Sequence, residues 1–295
     1  MSRSPEELKF LLKERGLAAN KGLGQNFLLD ERVLDRIAEV SEVSFSDSVL
    51  EIGPGPGALT ERLVQRAGRV VAIELDRGMC GFLAEHFNGC KNLEIVHEDV
   101  LKADLEKILG LGCPPGKKWK VIANLPYYIS TPVLFKIFQY SSAFESLTVM
   151  LQKEVAERLQ ASPGGKSYGA LSLSAQYYAD IQIAFEVSPG AFWPQPKVYS
   201  AVVKLSPYEK PPIISENTEA MFSVIRAAFS KRRKTLANAL SGVSLQAENG
   251  IVSKEETEKV LAEMGLDPRI RGEVLSLAEY AALTDRLMEK MQGRI

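Results

Sequence analysis

Between residues 48 and 151, short apolar runs alternate with segments whose apolar positions recur at helical spacing. The runs, rich in β-branched residues, are 48–52, 69–74, 93–97, 121–123 and 147–151. This alternation is typical of an α/β fold in which crossover helices connect the strands of a mostly parallel sheet. In such a sheet ligands bind at the carboxyl ends of the strands, so residues that follow the apolar runs are candidates for a site.

The segments on either side of this region predict further elements. A Ser-Pro-Glu-Glu start at 4–7 indicates a short N-terminal helix, and Asp30 is placed to cap a second helix after a glycine-containing loop. Two later runs, 180–187 and 200–205, are spaced as an antiparallel pair of strands. Their proline-rich connection excludes regular ladder pairing and carries Phe192, which is either a hydrophobic plug or a wall of a base-binding pocket.

The pattern changes after a linker at 207–212. From Thr218 onward it is helical, with Met221, Val224, Ile225 and Phe229 on one face. The sequence therefore predicts a catalytic α/β domain over 1–208 and a small all-helical domain over 209–295.

Composition narrows the class of protein. The 295 residues are 45% hydrophobic and 25% charged, which suits one large domain and one small one. No apolar run approaches the ~20 residues of a membrane span and no signal-peptide core is present, so we expect a cytoplasmic protein. Three Cys without C-x-x-C spacing and two isolated His give no indication of a metal site.

Three strand ends carry the polar groups of a nucleoside-binding site. The first apolar run ends in Gly53-Pro54-Gly55-Pro56-Gly57, a rigid loop whose Gly53 and Gly55 let a ligand come close and which suits an amino-acid moiety more than a pyrophosphate. Glu74 follows Gly53 by 21 positions, near the ~20-residue offset of ribose-binding acids. Asp99 follows the third run, where it can accept from an adenine amino group. Together these residues favour a nucleoside-containing cofactor.

A fourth strand end, Asn124-Leu125-Pro126-Tyr127, indicates chemistry on an exocyclic amine. The lone pair of such an amine is delocalised into its ring. Two acceptors, the Asn124 side-chain oxygen and the Leu125 carbonyl, would localise it toward an incoming methyl group. Tyr127 offers a face on which a flipped-out base can stack. The alternative without a chemical role is a strand end with a proline turn and a half-buried Tyr127.

A basic run lies in the predicted helical domain. The net charge of −1 carries no information on nucleic-acid binding, because local basicity decides it. The run is a solvated helix face or a set of phosphate contacts, and its cations are Arg226, Lys231, Arg232, Arg233 and Lys234.

Five motifs in order resemble the KsgA-type ribosomal RNA adenine dimethyltransferases over nearly the whole chain. They are 24–28 (GQNFL), 51–57 (EIGPGPG), 124–128 (NLPYY), 192–200 (FWPQPKVYS) and 228–236 (AFSKRRKTL). The resemblance implies a Rossmann-like, class I methyltransferase sheet of seven, mostly parallel strands, with S-adenosylmethionine as methyl donor. It implies dimethylation of two adjacent adenosines near the 3′ end of 16S rRNA in the small ribosomal subunit or its precursor. It also implies a role in late subunit assembly, with a monomer as the expected state.

The resemblance also assigns residues. Asn26 and Leu28 would close over the cofactor, Gly53 would face its methionine part, Glu74 its ribose and Asp99 its adenine. Asn124 would lie between cofactor and target, and the target base would be sandwiched by Tyr127 and Phe192.

Two alternatives remain open at this stage. One is an Erm-like methylase acting on large-subunit rRNA. The other is a ribosome-assembly or nucleic-acid-binding factor that keeps the fold without turnover, and a complete cofactor and amine site argues against it.

Overall fold

The computed structural model describes residues 5–17, 19, 24–110, 116–231, 233–245 and 250–292. Internal contacts divide the chain into two compact units. The first comprises Met1–Ala156 and Ala179–Pro207, and the second Glu157–Tyr178 and Tyr208–Ile295. Residues 157–178 thus group with the helical unit, although they precede the boundary at 208 drawn from the sequence. The division of function between 1–208 and 209–295 stays a prediction.

The first unit contains a seven-stranded sheet, as the sequence predicted. The strands in the described residues are β1 (Phe27–Leu28), β2 (Ser48–Ile52), β3 (Arg69–Glu74), β4 (Leu93–His97), β5 (Trp119–Asn124), β6 (Phe144–Gln152), β7 (Ala179–Val187), β8 (Phe192–Trp193) and β9 (Ser200–Pro207). The sheet order is β4-β3-β2-β5-β6-β9-β7. Strand β9 runs antiparallel to both of its neighbours, and the other pairs are parallel.

Helices precede and connect these strands. Along residues 5–159 they are α1 (Pro5–Glu14), α2 (Glu31–Val40), α3 (Ala58–Val64), α4 (Arg77–His86), α5 (Leu105–Gly110), α6 (Ser130–Phe138) and α7 (Lys153–Leu159). The predicted cap of α2 is confirmed, because the Asp30 side chain accepts hydrogen bonds from the backbone N–H groups of Arg32 and Val33.

The central strands are buried on both faces. Val49, Leu50, Val121 and Ile122 have no measurable exposure. Strands covered on both sides carry continuous apolar runs rather than an alternating pattern. Strand pairing sets β2 in register between β3 and β5, with Ile52 opposite Ile73 and Ala123, so the residues at the ends of these three strands lie at one level of the sheet.

The connection between β7 and β9 contains a short strand that the sequence did not predict. Phe192 pairs with Leu28 and Trp193 with Phe27, so β8 and β1 form a two-stranded sheet. Pairing ends at Pro194, whose missing N–H cannot continue the ladder.

The second unit is helical. Its helices from residue 170 onward are α8 (Ala170–Tyr178), α9 (Thr218–Ser230), α10 (Leu236–Leu240), α11 (Lys254–Glu263) and α12 (Leu277–Gln292). Met221, Val224 and Ile225 form the buried face of α9, as the spacing predicted. Reciprocal hydrogen bonds between Ser253 and Glu256 fix the start of α11.

Within the described residues, none of the helices combines the length and the apolar character that crossing a membrane requires.

Candidate active site

A cavity opens at the carboxyl ends of four adjacent strands of the first unit. It contains about 970 Å³ of empty space, part of it open to solvent. The strand order is β4-β3-β2-β5. The residues at or just after the ends of these strands therefore follow one another along a single edge, in the order Asp99, Glu74, Gly53 and Asn124. The other predicted residues that line the cavity are Asn26, Leu28, Gly55, Leu125 and Tyr127.

The glycine loop after β2 forms one wall of the cavity. Gly53 has a φ of 68°, and a Cβ built there would lie 3.9 Å from the backbone oxygen of Asn124. Gly57 has a φ of 87°, and its Cβ would lie 2.8 Å from a methyl carbon of Leu83. The left-handed backbone favours glycine at both positions, and close packing adds to this requirement at Gly57. The loop lets a ligand contact the main chain directly.

Glu74 ties the end of β3 to this loop. Its Oε2 accepts a hydrogen bond from Gly55 N at 3.0 Å, and its Oε1 accepts one from Asp76 N at 2.9 Å. Burial raises the pKa of the Glu74 carboxyl, against the opposing effect of these backbone donors. Each carboxylate oxygen can accept more than one hydrogen bond, so the same orientation leaves acceptor capacity for ligand hydroxyls.

Asp99 is oriented by its own turn. Its Oδ1 accepts from Leu101 N at 2.9 Å, and Lys102 Nζ lies 4.0 Å from Oδ2. Its side chain is 27% exposed and lines the cavity. Asp99 is therefore a fixed acceptor two strands away from the glycine loop.

Asn124 is held at the other side of that loop. Its Nδ2 donates to the backbone oxygen of Asn26 at 3.2 Å, which directs Oδ1 to act as the acceptor. The next residue is anchored too, since Leu125 N donates to Met150 O at 3.2 Å. The side-chain oxygen of Asn124 and the carbonyl of Leu125 are thus carried by a rigid strand end.

Two tyrosines follow this strand end. Tyr127 is half-buried, its hydroxyl lies 2.6 Å from Ser200 Oγ, and burial raises its pKa. Tyr128 is 51% exposed and lies over Gly24, where an added Cβ would be 3.0 Å from its ring. Burial and the negative charges of Asp99 and Glu74 raise the pKa of Tyr128. Tyr128 lines the cavity as well, although no role was assigned to it from the sequence.

Phe192 does not line the cavity. It is 6% exposed and packs with Leu28 and Ala191 in the core beside the sheet. In this structure the ring is a hydrophobic plug behind Leu28, a cavity residue. Its predicted contact with a target base stays a prediction.

Glu51 is a cavity residue that the sequence did not single out. It lies in β2, two positions before Gly53, and is 1% exposed. Burial, followed by the nearby charge of Glu74, raises its pKa to about 8, although the Thr60 hydroxyl acts in the opposite direction. The sequence could have singled out Glu51, because a carboxyl group within a buried apolar run needs a polar partner or a function.

The predicted RNA-binding residues belong to the second unit. Arg226, on α9, and Lys231, Arg233 and Lys234, just after it, are all exposed. No ion pair is formed by these four in the part of the unit that the structure describes. Arg232 lies outside the described residues. Four unpaired cations close together are suited to phosphate contacts, and their assignment to RNA stays a prediction.

Comparisons with known proteins show the family to which this chain is similar. The family model for ribosomal RNA adenine dimethylases matches residues 16–283. A ribosomal RNA small subunit methyltransferase A from Alkaliphilus oremlandii is 42% identical over 98% of both chains.

Two solved structures extend the comparison. A dimethyladenosine transferase from Plasmodium falciparum has a TM-score of 0.70 and 27% identity, covering 88% of this chain and 97% of that one. The 23S rRNA methyltransferase ErmE has a TM-score of 0.61 and 26% identity, covering 89% of this chain and all of that one. Because the family model matches residues 16–283, which is most of the chain, this chain belongs to the ribosomal RNA adenine dimethylase family.

Proposed function

We propose that this protein transfers methyl groups from S-adenosylmethionine to the N6 amino groups of two adjacent adenosines near the 3′ end of 16S rRNA. Asn124 carries the proposal, because its amide is oriented at the edge of a cavity suited to a nucleoside. Family membership and the names of the curated relatives support the choice of small-subunit rRNA.

The residues present fit S-adenosylmethionine. Glu74 offers carboxylate oxygens to ribose hydroxyls, Asp99 offers an acceptor to the adenine amino group, and the loop at Gly53 and Gly55 admits the methionine part. Asn26 and Leu28, which also line the cavity, would close over the cofactor. When bound, this cofactor supplies an electrophilic methyl group on a positively charged sulfur.

The protein's part in the transfer is to position the amine. Asn124 Oδ1 and the Leu125 carbonyl accept the two amino hydrogens and direct the lone pair toward the methyl group. The methylated nitrogen releases one proton to solvent, after which the amine keeps one hydrogen and one acceptor remains engaged during the second transfer. No covalent enzyme intermediate is required.

The target base is extruded from the RNA and stacks on Tyr127. The hydrogen bond between Tyr127 and Ser200 holds the ring in place. Phe192 is proposed as the second face, and this role requires its buried ring to gain exposure.

RNA binding is assigned to the helical range 209–295, through phosphate contacts of Arg226, Lys231, Arg232, Arg233 and Lys234. The substrate is then rRNA within the small subunit or its precursor, and methylation accompanies late assembly. A cytoplasmic location and a monomeric state are part of this proposal.

Incubation with methyl-labelled S-adenosylmethionine and unmethylated small subunits tests the proposal, with mass mapping of the modified nucleosides. We expect dimethyladenosine at two adjacent positions near the 3′ end. Asn124→Ala should abolish transfer while leaving cofactor binding largely intact. Asn88→Ala is the matched control, since Asn88 is exposed and lies outside the cavity. An active Asn124→Ala enzyme would refute the amine alignment.

The resemblance to ErmE supports one competing substrate, large-subunit rRNA. A parallel incubation with protein-free 23S rRNA separates the two, because label confined to 23S rRNA contradicts the small-subunit assignment. Cofactor binding without transfer to either RNA would favour a non-catalytic assembly factor.

A further inference from the structure

The cavity wall is acidic. Four acidic residues line it, and no Lys, Arg or His does so among the described residues. The four are Glu51, Glu74, Glu98 and Asp99. A pocket lined by one sign of charge selects a ligand that carries the opposite sign. The composition of this wall therefore indicates a cationic ligand.

Glu51 differs from the other three carboxyl groups. Both of its carboxyl oxygens are buried without a hydrogen-bond partner of good geometry in the described structure, and the nearby Thr60 Oγ1 is in the same situation. By contrast, Glu74 is bonded to two backbone N–H groups and Asp99 to one. Unsatisfied buried carboxyl oxygens at the wall of a cavity require an explanation.

The surroundings of Glu51 oppose its negative charge. Within the described structure, the ionisable group identified beside it is Glu74, on the neighbouring strand β3, and this group is also acidic. On α3 it faces the uncharged Thr60. Burial and this like charge keep the Glu51 carboxyl protonated at neutral pH while the cavity holds no cation, with a pKa of about 8. A cation entering the cavity would instead favour the deprotonated, negatively charged form of Glu51.

We propose that Glu51 is the counter-ion for the positive charge in the methionine part of the cofactor, and that cofactor binding expels the proton of this carboxyl group to solvent. The inference rests on the proposed function, since it takes S-adenosylmethionine as the ligand. It adds a binding residue and couples cofactor affinity to pH. The contribution of Glu51 to affinity rises with pH up to about 8, by at most about tenfold per unit, and then levels off.

Isothermal titration calorimetry of the full-length protein measures this coupling. Titrations in buffers of different ionisation enthalpy give the number of protons released on binding. The ligand amine also titrates, so the quantity compared is the difference between wild type and Glu51→Gln. We expect close to one additional proton released by the wild type at pH 7. Equal proton counts would overturn the inference.

Three ligands identify the responsible cation. S-adenosylmethionine carries an ammonium and a sulfonium, S-adenosylhomocysteine only the ammonium, and methylthioadenosine neither. Proton release attributable to Glu51 with the first two indicates the ammonium, and release with the first alone indicates the sulfonium. Both results support the counter-ion role, whereas equal release with methylthioadenosine contradicts it.

A matched control variant is Glu98→Gln, which makes the same substitution at another residue of the same cavity wall. Glu98 is only partly buried, so solvent reaches it before a ligand binds, and we expect Glu98→Gln to release as many protons on binding as the wild type. A decrease as large as that of Glu51→Gln would contradict a specific role for Glu51.

Carboxyl ¹³C NMR of the wild type provides a direct readout that does not depend on a variant folding. The Glu51 resonance should titrate near pH 8 in the free protein and at lower pH in the complex. If the wild type binds none of the three ligands, the proposed function fails. If it binds them and Glu51 keeps its proton, only this inference fails.

Discussion

Glu51 should destabilise the protein in the absence of ligand, and its replacement by glutamine provides a test. In the unfolded chain the carboxyl has its ordinary pKa of 4.5, whereas in the folded protein burial raises it to about 8. Below pH 4.5 both states are protonated and the group contributes nothing. As the pH rises, the unfolded state loses its proton first, so unfolding becomes more favourable until the folded state also ionises near pH 8.

The magnitude follows from the shift. Each unit of pKa difference corresponds to 1.36 kcal/mol, so the cost is roughly 3 kcal/mol at pH 7. This is a large fraction of the 5–15 kcal/mol that is typical of folded domains. Glu51→Gln lacks the proton equilibrium, so the free energy of unfolding of the variant should rise relative to that of the wild type by roughly 3.5 kcal/mol between pH 5 and pH 8.

Urea denaturation without cofactor measures this difference, with tryptophan fluorescence as the signal for unfolding. Trp119 and Trp193 are the two tryptophans of the chain, and both lie in the first unit, so the signal reports on the unit that contains Glu51. Trp119 is 2% exposed in β5, which pairs with β2. A difference between variant and wild type that stays constant from pH 5 to pH 8 would refute a buried, protonated Glu51.

Three further predictions concern the base, the loop and the RNA. Tyr127→Phe keeps the ring and should retain most of kcat, whereas Tyr127→Ala should lower it at least tenfold in methyl-transfer assays; equal losses would exclude stacking. Gly57→Ala should cost about 1–3 kcal/mol in urea denaturation because it adds a steric clash to backbone strain. Gly89→Ala, with a φ of 86° and open space around it, should cost less. Neutralising Arg233 and Lys234 should weaken RNA binding and flatten its dependence on salt concentration; an unchanged slope would indicate a merely solvated surface.

Much of the site could be predicted from the sequence because it lies at the ends of parallel strands. Once β2 to β5 are recognised as apolar runs, Gly53, Glu74, Asp99 and Asn124 must lie along the same edge of the sheet. These residues come together because β4, β3, β2 and β5 are adjacent in the sheet and run parallel, and the structure shows this order and direction.

Other features depend on contacts that a local pattern does not specify. Phe192 and Leu28 are distant in sequence, and a pairing of two residues is too short to produce a strand signal. Residues 157–178 are helical in part, and the spacing of apolar residues along a helix does not specify which of two cores the helix packs against. Glu51 was quoted within the motif 51–57 and given no role, because its burial depends on the strands on either side of β2, which a local pattern does not show.

The order of the strands also sets a length scale for inhibitors. From β4 to β5 the edge spans three inter-strand steps, roughly 14 Å at ~4.8 Å per step. Asp99 and Asn124 mark its two ends. A molecule that joins an adenosine analogue to a second aminopurine through a short, extended, positively charged linker would match both the length of this edge and its acidic wall. Compounds that are much shorter would engage only one end.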